Sequence, residues 1–483
     1  MKSIKRLLIA NRGEIALRVI RACKELNITS IAIFSEADID GIWIRKADEA
    51  YPILGNPIEV YLDIKKIISL AKKANCDAIH PGFGFLSESS EFAKACEEAG
   101  IIFIGPKPEH IELFGDKRAS KEAMKSVGVP VVEGSSKSIL SLEEGLEIAK
   151  EIGFPVIIKA AYGGGGRGMR VVEQEEDFKE LFISASNEAK KFFGKGDLFI
   201  EKYIKNPRHI EIQIIADKFG NVVHLKERDC SIQRRHQKVI EVALSPKLDI
   251  EVKRELYRIA TKAMFKLGYE SVGTIEFLVD DSNNIYFIEM NTRVQVEHPI
   301  TEMISGIDII KRMIEIADGD KLRFLQEELN FRGYAIEFRI NAEDPQNNFM
   351  PSIGKIEHFI APGGPGVRID SIAYSGYKIS PYYDSMVAKL IVWDLTWQGV
   401  VDKARRALDE FYIDGIKTNL PLHREIVRDK EFINGEFRTD YLDRKMSSFN
   451  LEMKNSIYEE EQRVKEISKI IEKIKSSNLK YKL

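Results

Sequence analysis

Between Thr274 and Asn291, two runs of alternating apolar residues flank a turn-forming cluster, Asp281-Ser282-Asn283-Asn284, and that pattern calls for an antiparallel hairpin. If the turn centres between Ser282 and Asn283, Glu276 comes opposite Glu289. Asn291 then shares the face of Glu289, because strand side chains alternate with period two. Directly opposed like charges, with Cβ atoms about 4.5–5.5 Å apart, destabilise a sheet. A divalent cation removes that penalty, and two carboxylates with an amide oxygen are the hard ligands that Mg²⁺ takes beside substrate phosphates. Acids on the wet face of an ordinary hairpin are the plain alternative, which these residues alone leave open.

A second signal lies upstream. Tyr162-Gly-Gly-Gly-Gly-Arg-Gly168 follows the apolar run Phe154-Pro-Val-Ile-Ile-Lys159. Consecutive glycines let a backbone approach an anion and aim its amide N–H groups at it. Lys159, at the end of the strand, places an ammonium beside that loop. It is not a Walker loop, which ends in Gly-Lys-Ser/Thr where this one runs Arg167-Gly168-Met169. A flexible hinge would use glycine too. The order strand, lysine, glycine loop, carboxylate hairpin favours a nucleotide site.

At 483 residues the chain is too long for one core, and about three domains is the natural expectation. With 72 basic and 75 acidic residues, net −3, it has no bulk attraction to nucleic acid or an anionic membrane. Basic residues do gather at Arg228, Arg234, Arg235, His236 and Lys238, a stripe short enough for a small anion. The four cysteines (Cys23, Cys76, Cys96, Cys230) are scattered, as free thiols in a reducing cytoplasm would be. The run of four apolar residues before Asn11 is too short for a signal peptide, and no run reaches membrane-spanning length.

Arg6–Ala10 reads as a strand and Glu14–Leu26 as a helix with Ile15, Val19, Ala22, Cys23 and Leu26 on one face. Further strands at Ser30–Ser35 and Asp77–Ile79 predict a parallel βαβ sheet up to about Gly105. Asp116–Val127 reads as helical, and Pro130 opens a smaller α/β unit ending near Tyr203. Strands dominate from Ile210 to about residue 300, apart from a helix at Ile250–Leu267. Arg332–Trp393 is again strand-rich and Val400–Tyr412 helical. In the tail, Val464, Ile467, Ile471 and Ile474 follow the spacing of an amphipathic helix amid alternating charges.

Six segments, in order, carry a resemblance: Ile9-Ala-Asn-Arg-Gly-Glu-Ile-Ala16, His80-Pro-Gly-Phe-Gly-Phe-Leu-Ser-Glu88, Lys159-Ala-Ala-Tyr-Gly-Gly-Gly-Gly-Arg-Gly-Met169, Glu227-Arg-Asp-Cys-Ser-Ile-Gln-Arg-Arg-His-Gln-Lys238, Phe287-Ile-Glu-Met-Asn-Thr-Arg-Val-Gln-Val-Glu-His-Pro299 and Arg339-Ile-Asn-Ala-Glu-Asp-Pro345. Over residues 1 to about 445 the chain resembles the biotin carboxylase component of biotin-dependent carboxylases, of the acetyl-CoA carboxylase and pyruvate carboxylase type, in the ATP-grasp superfamily. The resemblance implies an α/β (α+β overall) architecture: an N-terminal Rossmann-like domain (1–114), an ATP-grasp domain (115–330) with a mobile glycine-rich lid (131–203), a β-rich C-terminal domain (331–445) and a helical tail (446–483).

It also implies a ligase reaction in which ATP and bicarbonate give carboxyphosphate, whose CO₂ passes to N1′ of biotin on a separate carrier protein. Lys117, Lys159, Gly165, Gly166, His209 and His236 match positions that hold ATP phosphates or ribose. Glu201, Lys202, Tyr203 and Ile204 match the segment beside the adenine. Glu276, Glu289 and Asn291 match the ligands of two Mg²⁺ or Mn²⁺ ions. Bicarbonate is planar and anionic, so Arg293 would grip it bidentately, with Lys238 and the Val296 amide completing the cradle. Glu297 matches the general base, kept ionised by Arg293 and Lys238 nearby, and Arg339 the residue steadying the enolate-like biotin. His236 shares a face with Lys238 if Arg234–Lys238 is extended. The implied partners are a second copy of the chain, a biotin carboxyl carrier protein and a carboxyltransferase.

Tyr162, Phe83 and Leu244-Ser245 depart from the family pattern, none of them at metal or phosphate positions. Glu122-Ala-Met-Lys125 resembles a biotinylation core, but Ser120–Val127 reads as helix rather than a carrier turn. A carbamoyl-phosphate-type ligase shares the carboxylate hairpin but gives no reason for Arg339–Pro345. An ATP-binding assembly protein with dead chemistry would not need Lys238, Arg293 and Glu297 intact. In such a system the carboxyltransferase selects the acceptor: acetyl-CoA, propionyl-CoA, pyruvate or 2-oxoglutarate.

Overall fold

A computed structural model describes residues 3–135, 137–139, 141–160, 169–193, 196–452 and 465–473. The N-terminal strands form one parallel sheet, in the order β3 (Glu49–Pro52), β2 (Thr29–Phe34), β1 (Arg6–Ile9), β4 (Ala78–His80) and β5 (Ile102–Phe103). Helix α1 (Gly13–Leu26) buries Ile15, Val19, Ala22 and Cys23 and closes on Asn27 in the left-handed region. Four-residue β3 and two-residue β5 are too short for periodicity to register, and neither is expected from the sequence.

A small three-stranded antiparallel sheet follows, with β6 (Val156–Ala160) between β7 (Arg170–Val172) and β8 (Leu198–Lys202), covered by helices Leu142–Ile152 and Glu175–Phe193. The glycine run, with Gly165 and Gly166, lies outside the described residues. Lys125 stands in the last turn of helix Lys117–Ser126, as the sequence implied.

The largest sheet is antiparallel and eight-stranded. It comprises β9 (Arg208–Ala216), β10 (Val222–Arg234), β11 (Gln237–Ala243), β12 (Ser271–Val279), β13 (Ile285–Asn291), β14 (Tyr334–Asn341), β18 (Val367–Ser371) and β19 (Met386–Asp394), in the order β13-β12-β9-β10-β11-β14-β19-β18. Short strands β15 (Glu343–Asp344) and β16 (Met350–Pro351), and likewise β17 (His358–Ile360) and β20 (Tyr412–Asp414), pair separately. Hydrogen bonds between β11 and β14 carry the large sheet across the boundary expected at residue 330. Ile210, Ile212, Ile214, Ile275 and Phe277 pack on helix Ile250–Lys266. Their alternating neighbours, among them His209, Glu211, Gln213, Thr274 and Glu276, therefore face the other way. All four cysteines are buried and free. Among the described residues no helix is long and apolar enough to cross a membrane.

Candidate active site

The expected pairing of Glu276 with Glu289 is present, by a different route. Near the turn the register is Val279↔Ile285 and Phe277↔Phe287, one residue tighter than expected. A bulge at Ile288 inserts one residue and brings Glu276 opposite Glu289. The pairing continues sideways: Glu276 pairs with Glu211 on β9, and Glu211 with Arg228 on β10. One rung across four strands thus reads Glu289, Glu276, Glu211, Arg228.

Three acids in a row need cations. Arg228, fully buried, donates to Glu211 (3.0 Å), Gln213 (2.7 Å), Thr301 (3.1 Å) and Thr274 (3.0 Å). It faces the acid row, correcting its placement in a stripe for a small anion. His209 Nε2 lies 2.6 Å from Glu276, and Gln233 lies 2.6 Å from its Nδ1. Lys238 Nζ contacts Glu211, Glu276 (3.1 Å) and Glu297 (2.9 Å). Although burial opposes the charge on Glu276, Lys238 and His209 hold its carboxyl well below the usual range. Glu289 has no such partner: among the described residues it makes no hydrogen bond or ion pair, and burial and Glu276 push it up.

Glu297 is fully buried just before helix His298–Ser305. Burial opposes its charge, but Lys238, then Arg339 and Arg228, hold it well below the usual carboxylate range. Arg339 Nη2 lies 3.0 Å from Glu297, and its Nε 2.5 Å from Glu241. Lys238 stands beside Glu297 as expected, but the second cation there is Arg339 rather than Arg293. The Arg293 guanidinium turns to Glu88 (3.0 Å), Asn291 Oδ1 (2.8 Å) and Gln295 (3.1 Å). Asn291 in turn directs its Nδ2 at Glu276, 2.7 Å away, as does Gln295 at 2.9 Å. Glu241 pairs across β11 and β14 with Glu337, and burial pushes Glu241 up to about 7 against the pull of Arg339.

Part of this network borders one cavity of about 980 Å³. Of the expected residues, Lys159, Glu201, Lys202, Tyr203, Ile204, His209, His236, Lys238, Glu276, Glu289, Asn291, Arg293, Val296 and Arg339 line it. Lys117 lies outside that lining, exposed at the start of its helix, and Glu297 sits behind Lys238 and Arg339. Glu201 binds Lys121 and Lys159 (2.5 Å); burial opposes its charge, but the two ammoniums bring it down to about 2. His236 corrects another expectation. Arg235 and His236 have φ of 50° and 64°, making a tight turn between β10 and β11, so His236 does not share a strand face with Lys238. Phe83 and Gly84 line the same cavity.

Sequence reasoning missed Glu211, Arg228 as its clamp, Gln233, Gln295 and Glu241. The available signal was Arg208-His-Ile-Glu-Ile-Gln-Ile214, where polar residues alternate with isoleucines in a strand.

Three family descriptions match the chain in series: the biotin carboxylase N-terminal domain over 3–111, the carbamoyl-phosphate synthase L chain ATP-binding domain over 116–325, and the biotin carboxylase C-terminal domain over 337–444. The 2-oxoglutarate carboxylase small subunit of Hydrogenobacter thermophilus is 54% identical over 439 residues, 91% of this chain and 93% of that one. Biotin carboxylase 1 of Bacillus subtilis is 50% identical over 442 residues, 91% of this chain and 98% of that one. A crystal structure of the biotin carboxylase domain dimer of the Hydrogenobacter enzyme, in complex with MgADP, ADP and bicarbonate, superposes with a TM-score of 0.88 at 53% identity. It covers 92% of this chain and 99% of that one.

Proposed function

The chain belongs to the biotin carboxylase family of ATP-grasp ligases, and we propose that it carboxylates biotin on a separate carrier protein, using ATP and bicarbonate by way of carboxyphosphate. The observation that carries this reading is Lys238, its ammonium among Glu211, Glu276 and Glu297, with Arg293 and Arg339 lining the same cavity.

Lys159, Lys202 and the Glu201–Ile204 segment border the end of the cavity suited to the nucleotide. Glu276 and Glu289, with Asn291, would hold Mg²⁺ or Mn²⁺. The fit is chemical: Glu289, half-buried and without a side-chain partner among the described residues, faces a second carboxylate, and the donor set is oxygen. For Asn291 to present its oxygen, Arg293 must release it. When bound, the metal supplies neutralising charge between the carboxylates and the nucleotide phosphates.

Bicarbonate fits between Arg293, Lys238 and the Val296 amide. An oxygen of bicarbonate attacks the γ-phosphorus and ADP leaves, while Glu297, held as the carboxylate, accepts the bicarbonate proton. Its cationic neighbours make it a weak base at rest. If Arg339 swings to the ureido oxygen of an arriving biotin, Glu297 loses one of them and its basicity rises, which ties the base to the presence of the acceptor. Carboxyphosphate then breaks into CO₂ and phosphate, the phosphate takes the N1′ proton, and Arg339 steadies the enolate-like biotin whose N1′ bonds to the CO₂.

The division into 1–114, 115–330, 331–445 and a tail, the homodimer, the carrier and carboxyltransferase partners, and a cytoplasmic location belong to the same proposal. The support is the relatives' names, the Hydrogenobacter dimer and four buried thiols. The purified chain should hydrolyse ATP faster when bicarbonate and free biotin are added together, and carry no covalent biotin at Lys125. A streptavidin signal on the chain, or ATP cleavage indifferent to bicarbonate, would overturn the assignment.

A further inference from the structure

The loop from Arg293 to Glu297 has no helix or strand of its own, yet two groups of the proposed anion cradle, Arg293 and the Val296 amide, and the base Glu297 stand on it. Something outside the loop must hold it. Arg339 and Lys389 are direct cross-strand partners on β14 and β19, so their side chains leave the sheet on the same face. Arg339 reaches the Glu297 carboxylate at 3.0 Å, while Lys389 Nζ donates to the Val296 carbonyl at 2.9 Å. That carbonyl belongs to the peptide joining Val296 to Glu297. One rung of the sheet therefore holds Glu297 at both its side chain and its main chain.

Lys389 is fully buried, and its ammonium lies 3.0 Å from Glu14 Oε1, which reaches across from the first turn of α1. Asp370, its partner on β18, and Glu337 on β14 are its other acidic neighbours, and the buried ring of His298 is the nearby base. Burial opposes the lysine charge, but Glu14, Glu337 and Asp370 hold its pKa above the usual value. A buried ammonium is costly unless paired, so a solely structural ion pair with Glu14 would be a poor use of the position. Its donation to a loop carbonyl next to Glu297 gives it a second task.

We propose that Lys389 is a positioning residue for the bicarbonate step: backed by Glu14, it fixes the Val296–Glu297 peptide and so keeps the loop in place when Arg339 leaves Glu297 for biotin. The N-terminal domain thereby contributes to the anion site without touching the anion. This rests on the proposed roles of Arg293, Val296 and Glu297.

The test is Lys389→Met in the full chain, measured by bicarbonate-dependent ATP cleavage and by calorimetry with a non-hydrolysable ATP analogue. A slack loop should lower kcat/KM for bicarbonate by about tenfold or more, as misplacement of reacting groups by an ångström does. Affinity for the ATP analogue should stay within about twofold. Because Lys389→Met leaves Glu14 unpaired, the double variant Glu14→Gln/Lys389→Met, which removes that lone charge, should fold and show the same selective bicarbonate defect. A folded variant whose only change is a lower Tm, or in which bicarbonate and ATP parameters fall together, overturns the positioning role. If the wild-type chain shows no bicarbonate dependence, the cradle assignment fails and this inference falls with it.

Discussion

Arg228→Met gives the sharpest test of the rung. The guanidinium is fully buried and makes four hydrogen bonds, the one to Glu211 charge-assisted and the shortest, to Gln213, at 2.7 Å. Methionine fills much of the volume but leaves Glu211 a buried carboxylate with Lys238 as its remaining cation. Removing one partner of a buried pair costs about 3–5 kcal/mol. At about 2–4 °C per kcal/mol for a unit of this size, Tm should fall by roughly 6–20 °C. Lys238, no longer competing with Arg228 for Glu211, should draw toward that acid, and bicarbonate-dependent turnover should drop as well. Adding Glu211→Gln removes the uncompensated charge, so the double variant should regain more than about 1 kcal/mol relative to Arg228→Met. Turnover should stay low, because Lys238 has lost one of its three carboxylates. Urea unfolding and ATP turnover on the two single variants and the double give the cycle. A single variant within about 1 kcal/mol of wild type, or a double variant no more stable than Arg228→Met, would refute the clamp.

Further outcomes follow from other positions. Glu289→Gln removes one charge from the facing pair, so stability should hold or rise by about 0.2–1 kcal/mol while ATP turnover is lost; wild-type turnover at ordinary Mg²⁺ would contradict the metal role. Glu201 titrates at about 2 in the folded chain against an ordinary 4.5. Its unfolded form binds the proton more tightly, so its contribution is present above pH 4.5 and lost as pH falls toward 2, amounting to at most about 3 kcal/mol. Glu201→Gln should flatten acid unfolding in that window, followed by circular dichroism; an unchanged acid limb would exclude the pairing with Lys121 and Lys159. The tail is helical over 465–473 with Ile467, Ile470 and Ile471 exposed, while Val464 and Ile474 lie outside the described residues. Phe449 and Leu451 pack on the core, so a truncation should begin at 453 rather than 449. Loss of 453–483 should spare free-biotin carboxylation and weaken assembly with partner proteins; normal assembly would remove that role.

How legible the molecule was depends on whether a feature is local. Helix α1 and the parallel strands announced themselves through periodicity within a dozen residues. The Glu276–Glu289 pairing was found although the turn was misplaced by a residue, because the bulge at Ile288 compensated. Alternation specifies the face more robustly than a turn specifies register. His236 was misread since a run of charged residues shows no signal for positive φ. Arg293 and Arg339 exchanged neighbours because sequence proximity favoured Arg293, whereas the pairing of β14 beside β11 brings Arg339 to Glu297 from 42 residues away. Glu211 and Lys389 were invisible for the same reason: each gains its meaning from strands distant in the chain, Lys389 from a helix that ends by residue 26.

Every role proposed for this site depends on bicarbonate attacking ATP in the cavity around Lys238. Bicarbonate carrying ¹⁸O in all its oxygens, supplied in unlabelled water with ATP and free biotin, tests that directly. If carboxyphosphate forms, the attacking oxygen stays on phosphorus when CO₂ departs, and mass spectrometry should find one ¹⁸O in each phosphate released by coupled turnover. Phosphate without label, formed at the same rate, would mean that water cleaves the ATP and would contradict the central claim.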